Sequence, residues 1–161
     1  VLSKRTELGI FSNLSFSPFI FRGKRYFSIE GLWQSMKYPE NSNDPRHFLN
    51  YPLNRDFVSK LYGFNAKDAG KVANKIMNRN NINWISFDGV KFNYKDFKNG
   101  SLLHYRLIYE AIENKVKQNK EIESLLLQTR GLRLIPDHHQ GRKPDSYYYH
   151  KILMKIRDQL I

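Results

Sequence analysis

The sequence predicts an α+β fold that is mainly α: a single compact domain of several helices with two small β-hairpins. Three observations predict it. Apolar residues recur at helical spacing over most of the second half. Two pairs of short apolar-aromatic runs flank Gly-containing turns. The 161 residues, 40% hydrophobic and 14% aromatic, suit one hydrophobic core. No repeat, low-complexity tract or domain boundary divides the chain, so residues 1–161 read as one domain with 1–9 as an N-terminal extension.

Phe19-Ile-Phe21 and Arg25-Tyr-Phe27 flank Arg22-Gly23-Lys24, which reads as the first hairpin. Ser28 is suited to cap a helix that stops before Pro39. Asp44-Pro45 opens a short helix to about Tyr51, with Asp as cap and Pro at the first helical position. Asn54 to Tyr62 forms another, closed by Gly63, and Asn65 caps a third over Ala66 to Met77. Trp84 to Phe87, Asp88-Gly89 and Val90 to Asn93 make the second hairpin signal. Ser101 opens the longest helix, with Leu103, Leu107, Ile108, Ala111, Ile112 and Val116 as its core stripe. Glu121 to Gln128 is a further helix. Thr129 to Asp145 is loop-like apart from Leu132–Ile135. Asp145 or Ser146 caps a last helix that buries Tyr149, Ile152, Leu153, Ile156 and Leu160.

The formal charge is +12, from 27 Lys+Arg against 15 Asp+Glu. Such a balance favours polyanionic partners: nucleic acid, nucleotides or anionic lipid. There is no cysteine, which excludes a disulfide scaffold, a zinc ribbon and a thiol nucleophile and suits a cytoplasmic location. No apolar run approaches the roughly 18 residues of a membrane span, and Val1–Glu7 lack the apolar core of a signal peptide. No membrane partner is expected.

The stretch richest in chemistry is Ser28 to Lys37. At about 100° per residue, Glu30, Gln34 and Lys37 share one face, flanked by Trp33, while Ile29, Leu32 and Met36 form an apolar face. A solvated polar face gives the same spacing. None of His47, His104, His138, His139 and His150 falls at HExxH spacing, so no metal or other cofactor is expected. Neither a G-x-S-x-G elbow nor a P-loop nor G-x-G-x-x-G is present. The loop Gln140–Pro144 offers backbone and two cations to a phosphate, or is simply a solvated basic loop. Aromatics interleave with basic residues over Phe19–Lys37 and Tyr147–Lys151, as in sites that hold unpaired bases or as at the half-buried flank of a helix.

Several stretches, taken in order, resemble the NADAR family, also called YbiA-like. Phe11-Ser-Asn-Leu14 is similar to the family's F-S-N-F opening, followed by Ser17-Pro-Phe19 and Gly23-x-x-Tyr26. Ser28-x-Glu30-x-x-x-Gln34-x-x-Lys37 matches the S-x-E-x-x-x-Q-x-x-K signature without a gap. Ala66-x-x-Ala-Gly-Lys71 resembles A-x-x-x-G-R, Trp84 a later tryptophan, and Lys115-x-x-x-Asn119 the K-F-x-Q-N helix. Thr129-x-Gly131 and Leu153-Met-x-x-Arg157 resemble the T-G turn and the terminal L-M-x-x-R helix. The likeness spans Phe11 to Leu160. The chain departs from the family after the T-G turn: Asp137 stands for the acid of D-x-x-W-G without its tryptophan, and Asp145-Ser-Tyr147 replaces G-x-N.

The resemblance implies a YbiA-like fold and cleavage of an N-glycosidic C1–N bond of ribose, with Lys37, Glu30 and Asp137 as catalytic residues. Lys37 would form a Schiff base with the opened sugar or act electrostatically at C1, and Glu30 would be the general acid/base. Gln34 and Asn13 would orient hydroxyls, Trp33 would wall the base, and Lys71 and Arg22 would neutralise a diphosphate. Phe11, Ser12 and Trp84 complete the expected substrate-binding set. A neighbouring carboxylate favours a charged lysine, so an apolar surround of Phe19, Phe21 and Tyr26 is expected to desolvate the amine. The +12 charge favours ADP-ribosylated guanine of DNA or RNA as substrate over phosphoribosylamino intermediates of riboflavin synthesis. A non-catalytic module binding NAD or ADP-ribose, or a basic nucleic-acid-binding protein without an active site, are the readings of another class.

Overall fold

A computed structural model describes residues 2, 7–95, 101–137, 141 and 143–160. Among these are six α-helices and two antiparallel hairpins. Strands β1 (Phe19–Phe21) and β2 (Lys24–Tyr26) pair Phe19 with Tyr26 and Phe21 with Lys24. Strands β3 (Ile85–Phe87) and β4 (Val90–Phe92) pair Ile85 with Phe92 and Phe87 with Val90. Both turns carry two consecutive positive φ angles, at Arg22-Gly23 and Asp88-Gly89. That backbone matches the right-handed twist of the strands, and glycine at the second position takes it without steric cost.

Helix α1 (Ile29–Ser35) starts where Ser28 accepts a hydrogen bond from Gly31 N at 2.9 Å and donates to Leu61 O at 2.8 Å. Its apolar face buries Ile29 and Leu32 completely. Helices α2 (Arg55–Ser59) and α3 (Gly63–Arg79) pack against one side of α1. Helix α4 (Ser101–Gln118) lies against α1, β1, β4, α5 (Lys120–Gln128) and α6 (Tyr149–Gln159). Leu107, Ile108, Ala111, Ile112 and Val116 of α4 are all in the core. A smaller apolar cluster of Tyr38, Val58, Ala69 and Ala73 joins the end of α1 to α2 and α3.

Several boundaries differ from the sequence reading. Helix α2 ends at Ser59 rather than Tyr62. The Pro45 segment is a 3-10 turn ending at Leu49, because Asn50 turns left-handed at φ 56°. Helix α3 begins at Gly63 rather than Ala66, since Gly63 (φ 60°) is both the break after α2 and the first residue of the next helix. A 3-10 turn, Asp145–Tyr147, precedes α6. Leu2 is buried and bridges to Pro136, so part of the 1–9 stretch packs on the domain. Among the described residues no helix is long and apolar enough to cross a membrane.

The chain just after α1 is tied by two arginines. Arg46, fully buried, forks onto Asp44 and donates to Met36 O at 2.8 Å. Arg55 donates to Tyr38 O at 3.0 Å and to Ser86 O at 2.8 Å. The backbone on both sides of Lys37 is thereby fixed, and β3 is pinned beside it by Ser86 N donating to Met36 O at 3.1 Å.

Candidate active site

A cleft of about 900 Å³ opens where α1, α3, the Ser12–Leu14 loop, the residues after β4 and the start of α6 meet. Glu30, Trp33, Gln34 and Lys37 form its α1 wall. Glu30 is half-buried and accepts a hydrogen bond from Gln34 Nε2 at 2.8 Å. This bond sets the amide orientation, because a flip would turn the Gln34 oxygen onto the carboxylate. Gln34 Oε1 lies buried with no hydrogen-bond partner among the described residues.

Lys37 is 4% exposed, just beyond the last turn of α1, with Nζ 5.7 Å from the centre of the Tyr94 ring. Burial lowers its pKa from the ordinary lysine value to about 8; Glu30 opposes that shift and Lys95 adds to it. Desolvation therefore outweighs the nearby carboxylate. The surround that strips water from the amine is not Phe19, Phe21 and Tyr26. Those rings pack on one another and on Phe87 within the core. Lys37 instead sits beside Tyr94, which meets Trp33, and Trp33 in turn packs edge-on against His104 (4.2 Å) and Tyr147 (4.8 Å).

His104 is fully buried behind Trp33, with Nδ1 2.9 Å from Ser146 Oγ. Burial, with a smaller push from Lys37, lowers its pKa to about 3, so the ring is neutral at ordinary pH. It acts as an apolar backing for the indole, not as a cation.

The Ser12–Leu14 loop is held from both ends. Asn13 O accepts Glu30 N at 2.8 Å, and the fully buried Lys115 of α4 donates to Ser12 O at 2.9 Å and Ser15 Oγ at 3.2 Å. Burial lowers the Lys115 pKa to about 7. Asn119 Nδ2 donates to Pro18 O at 3.1 Å and continues this anchoring. The Lys115-x-x-x-Asn119 spacing thus places both side chains on one face of a continuous path from α4 into α5.

Of the residues singled out from sequence, Lys37, Glu30, Asp137, Ser12, Asn13, Trp33 and Gln34 line the cleft. Phe11, Arg22, Lys71 and Trp84 do not. Phe11 is a core residue, 1% exposed. Arg22 sits on the first hairpin turn, paired with Glu110 at 2.8 Å. Lys71 is exposed and pairs with Asp68 at 3.8 Å. Trp84 is engaged by two cations, Arg46 at 4.5 Å and Lys91 at 4.3 Å. His138, His139, Gln140 and Arg142 lie outside the described residues.

Sequence reading missed two of the cleft's cations, Lys67 and Lys95, and two of its aromatic walls, Phe64 and Tyr94. Lys143 lies in the Gln140–Pro144 loop that it offers to a phosphate, and Tyr147 and Tyr149 lie in its second aromatic-basic stretch. Lys67, Lys95 and Lys143 line it, with Phe64, Asn74, Tyr94, Tyr147 and Tyr149. Lys67 and Asn74 stand three residues before and four after Gly70, on the face of α3 that meets α1. Lys71, one residue on from Gly70, is turned about 100° away. Helical phase therefore offered a signal for Lys67. Nothing local marks Tyr94 or Lys95, which the second hairpin delivers from 57 residues beyond Lys37 and further.

Gly70 controls the Glu30–Gln34 pair. A β-carbon there would overlap the Gln34 amide group. In Gly70→Ala the amide must swing away and release Glu30. Overpacking costs about 1–3 kcal/mol, offset by up to about 1 kcal/mol of helix propensity. We expect a folded protein with turnover lowered about tenfold or more, in line with lost positioning of a proton-transfer group. Kinetics beside thermal unfolding check this; full activity would remove Gln34 from any role in holding Glu30.

No family model matches the chain, and no curated protein matches it in sequence. Among solved structures, the chain is similar to the NMR structure of the Escherichia coli protein YbiA, with a TM-score of 0.61 and 19% identity. The match covers 99% of this chain and 82% of that one. The fold is YbiA-like. Six helices and two small antiparallel hairpins in one domain agree with it.

Proposed function

We propose that the protein is a NADAR-type N-glycosidase that hydrolyses the ribose C1–N bond of ADP-ribosylated guanine in nucleic acid and releases ADP-ribose. The observation that carries this reading is Lys37: a nearly buried amine brought to about pKa 8, on the same cleft wall as a half-buried carboxylate. The motif resemblance of Ser28 to Lys37 supports it, and so does a cleft of nucleotide size with aromatic walls. Lys67, Lys95 and Lys143 replace Lys71 and Arg22 as the cations for a diphosphate.

In the proposed cycle Glu30 hands a proton to the departing base nitrogen. Neutral Lys37 Nζ bonds to C1 as the C1–O4′ and C1–N bonds break. One Nζ proton passes to O4′, leaving an opened sugar held as a protonated Schiff base and an unmodified guanine in the strand. Water then adds to C1 and gives one proton back to the Glu30 carboxylate. Its other proton passes to Nζ as the C1–Nζ bond breaks, and the O4′ hydroxyl recloses on C1 to release ADP-ribose. A desolvated lysine is a competent nucleophile for this chemistry. Asp137, which also lines the cleft, is assigned to orient that water.

The test is product analysis after separate incubation with an ADP-ribosylated guanine oligonucleotide and with the phosphoribosylamino riboflavin intermediate. The expected result is free ADP-ribose from the first alone. Turnover of only the second would move the enzyme to the small-metabolite reaction. Tight binding of ADP-ribose with turnover of neither would make it a binding module.

A further inference from the structure

We propose that an exposed aromatic strip running out from the cleft mouth, formed by Phe64, Tyr62 and Phe16 with the half-buried Phe27 at its end, binds the unpaired bases that flank the ADP-ribosylated guanine. This role rests on the nucleic-acid reading of the cleft. Leu14 and Phe64 line the cleft, and Gly63 N donates to Leu14 O at 2.7 Å, which lays the 14–16 and 62–64 segments side by side. From there the rings continue outward. Phe16 meets Tyr62 at 4.9 Å and Phe27 at 5.6 Å.

These are large rings left in water. Phe16 is 56% exposed, Tyr62 50% and Phe64 58%. Isolated exposed aromatics are ordinary, whereas a connected run beside a cleft marks a binding surface. The charge around it selects the occupant. Lys67 stands one turn beyond Phe64 on the cleft wall, and the Arg25 guanidinium lies 5.7 Å from the Phe27 ring. On the neighbouring α2, Asp56 is held by both Lys24 (3.4 Å) and Lys60 (3.2 Å), so that group is net positive too. Asp68 is paired with Lys71. Aromatic faces interleaved with cations suit single-stranded nucleic acid, whose bases offer their faces and whose backbone offers phosphates. A duplex hides those faces. An apolar protein partner leaves the cations without counter-charges.

The experiment compares the parent protein with Phe16→Ser/Tyr62→Ser and with Phe16→Trp/Tyr62→Trp. Anisotropy of a fluorescein-labelled oligodeoxythymidylate reads binding. Kinetics on an ADP-ribosylated guanine oligonucleotide and on ADP-ribosylated guanosine read turnover. The serine pair is expected to weaken oligonucleotide binding by about ten- to a hundredfold, the scale of losing stacking platforms. KM for the oligonucleotide rises to match, while kcat/KM on the nucleoside is unchanged. The tryptophan pair keeps both. Unchanged oligonucleotide binding in the serine pair overturns the proposal, as does a parent dimer in sedimentation that the serine pair dissolves. If the parent turns over neither substrate yet loses oligonucleotide binding in the serine pair, the strip stands and the catalytic reading falls. Equal turnover of both substrates by all three proteins does the reverse.

Discussion

Lys37→Arg and Lys37→Met each lower turnover on the order of a thousandfold or more, the scale of losing a group that takes part directly in bond making. The arginine variant separates two roles. It keeps a positive charge but cannot deprotonate or form a Schiff base. If Lys37 acted only as a cation at C1, arginine would retain a large share of the activity. The parent enzyme adds a pH signature. The amine must be neutral to attack, so reductive methylation of Lys37 by formaldehyde and cyanoborohydride, which needs the amine and not Glu30, rises with pH and levels off above the Lys37 pKa of about 8. At pH 7 roughly a tenth of a pKa-8 amine is neutral, against far less for an unperturbed lysine near 10.4. Borohydride added during turnover is expected to leave a reduced adduct on Lys37. No adduct under turnover would eliminate the covalent mechanism and leave acid/base hydrolysis through Glu30.

The parts of this site that were legible in the sequence are those set by local chemistry. Ser28 caps α1 because its hydroxyl reaches Gly31 N, three residues on. Glu30 and Gln34 meet because an i, i+4 pair must. Arg22-Gly23 and Asp88-Gly89 close hairpins because such pairs tolerate positive φ. The parts that were not legible depend on distant packing. Trp84 belongs to Arg46 rather than to the cleft, a partner 38 residues earlier with no sequence signature. Arg22 carries a charge of the right sign but is drawn to Glu110 of α4. Desolvation of Lys37 was an expectation whose agents were misassigned. The rings nearest in sequence went to the core, and Tyr94 came from beyond β4 to do it.

Arg46→Ala is expected to be the most destabilising single change, at about 3–5 kcal/mol, the usual cost of stranding one partner of a buried ion pair. Arg46 is 0% exposed, and its guanidinium satisfies three elements at once. Nε and Nη2 donate to the Asp44 carboxylate at 3.1 and 2.8 Å, Nη1 to Met36 O at 2.8 Å, and Nη2 also to Ser86 Oγ at 2.5 Å. Alanine leaves that carboxylate buried without its counter-charge and removes the cation from one face of Trp84. Burial pushes the Asp44 carboxyl up, but bonds from the Arg46 side chain and from the Glu40 and Arg46 backbone outweigh it and hold it at about 2. A carboxyl with a lowered folded pKa contributes stability above its unfolded value, and that contribution is lost as pH falls from near 4 toward 2. In Arg46→Ala the carboxyl returns toward or above its ordinary value, so this share of the acid sensitivity disappears together with the stability at neutral pH. Urea unfolding at pH 7 and near pH 3 checks both halves. The parent loses stability between the two conditions, and the gap between parent and variant narrows at the lower pH. A variant within about 1 kcal/mol of the parent at pH 7 would mean that water replaces the guanidinium. The same substitution reaches the cleft, because Met36 O is the carbonyl that precedes Lys37. Arg46 therefore couples stability to the aim of the amine, and residual folded Arg46→Ala should show a lower kcat with little change in KM.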